Sequence, residues 1–261
     1  MNPFRYSLTT RLKESLIFGL LGEIGREDRT LDLGCGLGYF SEIMADGGAR
    51  VAGMDLSMDS LRGVKARIRG QFIRGSAQRL PFRDGVFTKV LFTDVIEHLE
   101  DDRSAVREIW RVSRDGAEVV ITTAALEGIL TGSRLNLLFH DRPGEPEYHY
   151  RPGYTARGMS ELLGNEGIEV VDVGFSTVFL GELFIEGLKF AFSFIKKDFS
   201  SQADALSVGD SWLFKIYRYL VFPPMYAIAR LENLLLSPWL KGHIIVVKGV
   251  VRKPPRSGSH I

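Results

Sequence analysis

The sequence predicts an α/β fold: a mostly parallel, seven-stranded sheet with helices on both faces and a helical insertion between the last two strands. Three observations predict it. Short apolar and β-branched runs alternate with stretches of helical period, the pattern of strands joined by crossover helices. A glycine-rich turn links the first of these runs to the helix after it. Near the C-terminus the alternation stops, and residues 177–241 hold 13 of the 28 aromatic side chains in 65 residues without strand alternation.

Leu8, Leu12, Leu16, Leu20 and Ile24 recur at helical spacing, so residues 8–25 read as an amphipathic helix leading into the sheet. The next elements are a strand over Thr30–Leu33, a helix over 38–46, a strand over Arg50–Met54, a helix over 57–68 and a strand over Gln71–Arg74. A fourth strand spans Val86–Thr93, a helix 102–113, and a fifth strand Ala117–Thr123, rich in Val, Ile and Thr. A helix over 155–165 ends at Gly164 or Gly167, strand Ile168–Phe175 follows, and His243–Val251 is a final strand of nearly pure β-branched character. Within the insertion, Phe184, Leu188, Phe192 and Ile195 fall on one face of 178–195, opposite Glu182, Glu186 and Lys189. Those charges, and Lys215, Arg218 and the Pro223-Pro224 break in 212–236, argue against membrane-spanning helices.

Composition narrows the function classes. With 33 Lys and Arg against 32 Asp and Glu there is no global field to favour nucleic acid. The single cysteine, Cys35, excludes an internal disulfide framework and a multi-cysteine metal site, so no metal centre is expected. The N-terminus lacks the cationic and apolar regions of a secretory signal, and the expected compartment is the cytoplasm.

The chemistry concentrates in Leu31 to Phe40, where strand meets helix across Gly34, Gly36 and Gly38. Glycines there let the backbone approach a ligand, and the helix that follows offers its N-terminal amides. The dinucleotide fingerprint Gly-x-Gly-x-x-Gly needs a glycine where Tyr39 stands, which disfavours NAD. A structural tight turn would require neither Asp32 before the loop nor an acid ending the next strand. Asp55, twenty-one positions after Gly34, is that acid, placed to accept both hydroxyls of a ribose or, more plainly, to cap the helix over 57–68 as Ser57 also can.

On these residues the chain resembles the class I S-adenosylmethionine-dependent methyltransferases, in particular the small-molecule subgroup of ubiquinone and menaquinone methyltransferases, over about residues 25–176. The resemblance implies a Rossmann-like fold, S-adenosylmethionine as cofactor and methyl transfer by in-line displacement. Gly75 to Phe82 is similar to the loop passing the adenine, with Ser76 where relatives carry Asp; Thr93 to Leu99 is similar to the segment beside the methionyl group and the acceptor cavity. Cofactor contacts are thereby expected from Asp32, Gly34, Cys35, Gly36, Gly38, Asp55, Leu56, Ser76, Ala77, Thr93 and Asp94. Candidate bases are His98, His149 and His140, since an imidazole titrates near neutrality; cavity-wall, capping or loop-anchoring roles compete with that reading.

The expected organisation is a methyltransferase domain of residues 1–176 plus 242–253, a cap of 177–241 and a disordered tail of 254–261. An insertion rising where the sixth strand ends would roof the acceptor cavity. Aromatics interleaved with Lys189, Lys196, Lys197, Lys215 and Arg218 suit a membrane interface on the inner face, and hence a lipophilic acceptor, as well as they suit a self-packed subdomain or dimer interface. A noncatalytic cofactor- or membrane-binding module and an aminopropyltransferase of the same fold remain the alternatives.

Overall fold

The computed structural model describes residues 3–127, 149–176, 215–236 and 240–254. The strands are β1 (Arg29–Leu33), β2 (Arg50–Asp55), β3 (Gln71–Arg74), β4 (Phe87–Thr93), β5 (Ser113–Ala124), β6 (Ile168–Ser176) and β7 (Ile244–Val251). They form one sheet in the order β3-β2-β1-β4-β5-β7-β6, parallel except for β7, which runs antiparallel to both neighbours. The helices are α1 (Leu8–Leu21), α2 (Tyr39–Asp46), α3 (Met58–Lys65), α4 (Asp102–Val112), α5 (Ala156–Asn165) and α6 (Phe222–Leu236).

Alternation along the central strands sorts side chains onto two cores, as the two-residue period of a strand requires. Val90, Phe92, Val119, Ile121, Ile245 and Val247 pack on the face covered by α4 and α5. Leu91, Val120, Ile244 and Val246 pack on the other, with Ile17 and Leu21 of α1, Met44 of α2, and Leu61 and Val64 of α3.

Several boundaries shift for local reasons. Helix α1 stops at Leu21 rather than 25 because Gly22, at φ 67°, turns the chain out and its N–H closes on the Phe18 carbonyl. Its buried stripe is Leu8, Leu12, Lys13, Ile17 and Leu21, not Leu8 to Ile24 in steps of four. Four residues overshoot one turn by about 40°, so a long run of such steps drifts off the buried face. Helix α3 ends at Lys65 instead of 68, and β5 begins at Ser113, before the run of Val and Ile. At Pro223-Pro224 the helix does not break: a π-helical segment over Tyr217–Val221 leads directly into α6, whose second and third residues are the prolines. The π-helical turn just before the prolines is the kind of local adjustment that accommodates their missing amides.

Residues 178–195 lie outside the described residues, but the attachment of the insertion is clear. Ser176 at the end of β6 and Ile244 at the start of β7 pair with each other, and Ile244 pairs with Ala124. The chain therefore leaves and returns at the carboxyl edge of the sheet. Its described helix α6 docks on α1 through Met225, Tyr226 and Ala229 against Leu8 and Leu12, and Tyr217 donates to the Tyr6 carbonyl at 2.9 Å. No helix among the described residues is long and apolar enough to cross a membrane.

Candidate functional site

The strand order reverses between β1 and β4, and ligands of open α/β sheets bind beyond the carboxyl ends at such a switch point. Three loops converge there. After β1, Gly34, Gly36 and Gly38 adopt φ of 69°, 49° and 72°. A Cβ on Gly34 would stand 2.1 Å from Val95 Cγ2, and one on Gly38 2.8 Å from both Val64 methyls. The loop thus lies close against Val95 and Val64, with no room for side chains at these two positions.

Asp55 ends β2 and grips that loop: its Oδ2 accepts the Gly36 N–H at 2.7 Å, and its Oδ1 accepts the Ser57 N–H at 2.8 Å. Ser57, not Asp55, caps α3, accepting from the Ser60 N–H. A carboxylate has about four acceptor sites, so two remain for hydroxyl donors. Leu56 beside it is 67% exposed, an apolar surface at the rim. The Ser76 hydroxyl accepts from the Gln78 N–H at 3.3 Å, and Ala77 is buried behind it.

Asp32 lies beneath the loop, 1% exposed, with Oδ2 accepting from the Ser41 hydroxyl at 2.6 Å and Oδ1 unpartnered. Burial raises its pKa to about 6. Its position makes it a support of the loop as much as a ligand. Burial, reinforced by Asp32 and Asp55, pushes the Cys35 thiol far up, so it stays an inert thiol.

The third loop follows β4. Thr93 is buried, and Asp94 is the one non-glycine among the described residues with positive φ, 52°. That conformation is held by the Thr122 hydroxyl, which donates to Asp94 Oδ1 at 2.9 Å, and by the Lys13 ammonium, which pairs with Oδ2. Lys13 was not legible as a site residue, although a charge on the buried side of α1 is the signal that marks it. Arg11 and Glu14 of α1 similarly hold the Tyr39 hydroxyl, the side chain standing where the dinucleotide fingerprint has glycine.

Next in this loop comes a short 3₁₀ turn, Ile96–His98. It brings His98 against His149, the rings stacked with centroids 4.4 Å apart. Sequence reasoning named both histidines but not their contact, nor Glu97, whose carboxylate lies with them: one ligand atom from each of the three falls within 4.8 Å of the others. Arg151 fastens this arrangement. Its N–H bonds the Glu97 carbonyl at 3.3 Å, its guanidinium bonds the Leu99 and Glu100 carbonyls, and Nε pairs with Asp102 at 3.3 Å. His140 lies outside the described residues.

Comparison with known proteins agrees with this geometry. Residues 31–121 match the family model described as a methyltransferase domain. A probable S-adenosylmethionine-dependent methyltransferase of Mycolicibacterium smegmatis is 34% identical over 143 residues, 54% of this chain and 52% of that protein. Demethylmenaquinone methyltransferase of Renibacterium salmoninarum is 32% identical over 113 residues, 43% and 47% of the two chains. The chain thus spans about half the length of the curated relatives it matches. Among solved structures, a complex of the Haloferax volcanii Trm112 methyltransferase activator with a putative methyltransferase superposes with a TM-score of 0.62 at 15% identity, covering 97% of this chain and 95% of that one, a likeness of fold. In sequence over residues 31–121, and in fold, the chain is thus similar to S-adenosylmethionine-dependent methyltransferases.

Proposed function

We propose that the chain transfers a methyl group from S-adenosylmethionine to a small, lipophilic acceptor. The observation that carries the cofactor half is the Asp55 carboxylate gripping the Gly36 amide at the carboxyl edge of the sheet, with acceptor sites to spare. The residues present fit the cofactor: a loop of three positive-φ glycines at the switch point, an acid with acceptor sites for ribose hydroxyls, the exposed Leu56 beside it and the unpartnered Asp32 Oδ1. Asp32, Gly34, Cys35, Gly36, Gly38, Asp55, Leu56, Ser76, Ala77, Thr93 and Asp94 are the proposed cradle. Ser76 stands where relatives carry Asp and its hydroxyl is engaged by Gln78, so the loop holds adenine through its backbone and Ala77.

When bound, S-adenosylmethionine supplies an electrophilic methyl whose C–S pair returns to sulfur as the new bond to the acceptor forms and the acceptor proton departs. The protein's part is placement and exclusion of water. His98, four residues after Asp94, and His149 stacked on it are the groups placed where that proton leaves.

The acceptor half rests on the insertion, proposed as a cap over residues 177–241 beside the acceptor cavity. Its described residues 215–236 expose Leu220, Ile228, Leu231, Leu234 and Leu235, with Lys215, Arg218 and Arg230 on the same segment, which suits a membrane interface and a lipophilic acceptor. The demethylmenaquinone methyltransferase likeness points the same way.

The test uses methyl-labelled S-adenosylmethionine, a demethylated quinol in vesicles, and a water-soluble phenol. Label in the organic-extractable quinol and vesicle flotation are expected, and replacing Leu231, Leu234 and Leu235 by Ser should reduce both. Efficient labelling of the phenol alone, without flotation, overturns the lipophilic reading.

A further inference from the structure

The carboxylate of Glu97 is in an unusual position for a group with nothing to do. It is 5% exposed, and its Oε2 is buried without a hydrogen-bond partner. A buried carboxylate with one oxygen left unsatisfied is unfavourable, and a proton or a cation relieves it. Burial, and then the neighbouring Asp94 carboxylate, do raise its pKa well above the ordinary carboxylate range. The cation of Lys13 is already paired with Asp94.

What surrounds Glu97 is a ligand set. The three potential ligand atoms, one carboxylate oxygen and two imidazole nitrogens, lie within 4.8 Å of one another. A tetrahedral ion with bonds of about 2.1 Å separates its ligands by about 3.4 Å, so the cluster need contract by only about 1.4 Å at its widest. The half-buried imidazoles can make that change by rotating about their side-chain bonds, while the frame stays fixed. Arg151 ties the His149 loop to the carbonyls of Glu97, Leu99 and Glu100, and the Tyr154 hydroxyl ties it again to Asp102 at 2.7 Å. One carboxylate with two imidazoles selects first-row divalent transition ions over magnesium or calcium, which prefer all-oxygen shells.

We propose that Glu97, His98 and His149 bind one divalent first-row transition-metal ion, whose remaining coordination positions take an oxygen donor of the methyl acceptor. The inference rests on the methyl-transfer reading only for its last clause. Three protein ligands leave a position open, as catalytic rather than structural sites do. A hydroxyl placed there loses its proton to solvent more readily because the ion stabilises the oxyanion. That oxygen's electron pair then forms the O–CH₃ bond as the C–S pair returns to sulfur, which makes the acceptor an oxygen nucleophile. Location supports the role: the site follows Asp94 by three residues, and Val95 between them packs directly on Gly34 of the cofactor loop.

The test is titration of the chelator-treated, desalted protein with Co²⁺, read as a visible d–d absorption band, alongside elemental analysis after Zn²⁺ loading. One equivalent bound, with a band of tetrahedral or five-coordinate intensity, is expected. His98→Ala and His149→Ala, both at half-buried positions, should each abolish the band, and Glu97→Gln, nearly isosteric, should do so without altering the fold by circular dichroism. Adding the acceptor-like probe catechol should shift the parent's band. Calorimetry with S-adenosylhomocysteine on the same samples separates the two readings. A parent that binds S-adenosylhomocysteine but no metal overturns the metal site and leaves methyl transfer standing. A band that survives in both histidine variants overturns it as well, and a metal band unmoved by catechol overturns the acceptor clause.

Discussion

Removing the Asp55 side chain separates the two things this residue does. In the free protein its carboxylate accepts the Gly36 and Ser57 amides at 2.7 and 2.8 Å. In the proposed complex with S-adenosylmethionine it would also accept from the ribose. Hydrogen bonds to a charged group contribute about 1.5–3 kcal/mol. At about 1.4 kcal/mol per tenfold, Asp55→Ala should weaken S-adenosylhomocysteine binding roughly 10- to 150-fold. Losing the hold on Gly36 costs less, because the position is half-buried and water can replace the acceptor; about 1 kcal/mol corresponds to a fall in Tm of about 2–4 °C for a chain of this size. Asp55→Asn keeps the shape but turns an NH₂ toward one of the two backbone donors, so it should lose as much stability as alanine. The measurements are calorimetric titration with S-adenosylhomocysteine, which avoids turnover, and thermal denaturation without ligand. An Asp55→Ala protein with the expected fall in Tm and an affinity within twofold of the parent would remove this carboxylate from the cofactor site.

The remaining predictions concern the loop and its supports. Gly34→Ala places a methyl against Val95 at a positive φ that alone costs about 1–2 kcal/mol, so both Tm and S-adenosylhomocysteine affinity should fall, as seen by denaturation and calorimetry. Gly36→Val, at φ 49°, should abolish binding while circular dichroism shows the sheet intact. Asp32 has a folded pKa of about 6, above its unfolded value of about 4, so its native state takes up a proton between those values and stability falls as pH rises through that window. Asp32→Asn should therefore gain stability over the parent progressively from pH 4 to pH 6, on the order of 3 kcal/mol at most, and no further above it, in denaturant titrations at each pH. Lys13→Met leaves Asp94 without its cation in a partly exposed place; a loss of about 1 kcal/mol is expected, largely recovered in the double variant with Asp94→Asn.

The strands and the cofactor loop were legible because their signals are local. β-branched runs, a glycine turn and an acid closing the second strand are all written within a few residues of one another, and β1, β2, β3 and β4 fall within one residue of their expected bounds. The supports of the site were not, because each pairs residues far apart in the chain. Lys13 meets Asp94, Tyr39 meets Arg11 and Glu14, and Arg151 meets the carbonyls after Glu97. Glu97 was passed over for the same reason. In sequence it is one acid in a segment similar to a known motif; only the fold shows that it is buried, with one oxygen unpartnered, and beside two histidines. The expectation of no metal centre weighed cysteine alone; the cluster proposed above joins a carboxylate and imidazoles from two distant loops, which leaves no spacing signature in the sequence.

Helix α1 ties these parts together. One turn of it carries Arg11, Lys13 and Glu14, and those three side chains reach both sides of the crevice: Tyr39 behind the glycine loop and Asp94 at the end of β4. The opposite contact of the same helix, Leu8 and Leu12, is covered by Met225, Tyr226 and Ala229 of the insertion, and Arg11 also lies over the Tyr226 ring, 5.3 Å from its centroid. A side chain that touches both Tyr39 and Tyr226 makes the cofactor loop and the insertion neighbours through a single residue, although they are some 190 positions apart in sequence. Separation along the chain is thus no ground for treating the insertion as independent of cofactor binding. Substitutions in α6 that unseat Tyr226 should act on Arg11, then on Tyr39, and so on the helix that follows the glycine loop, whereas the exposed Leu231, Leu234 and Leu235 have no such route and probe the outer surface alone.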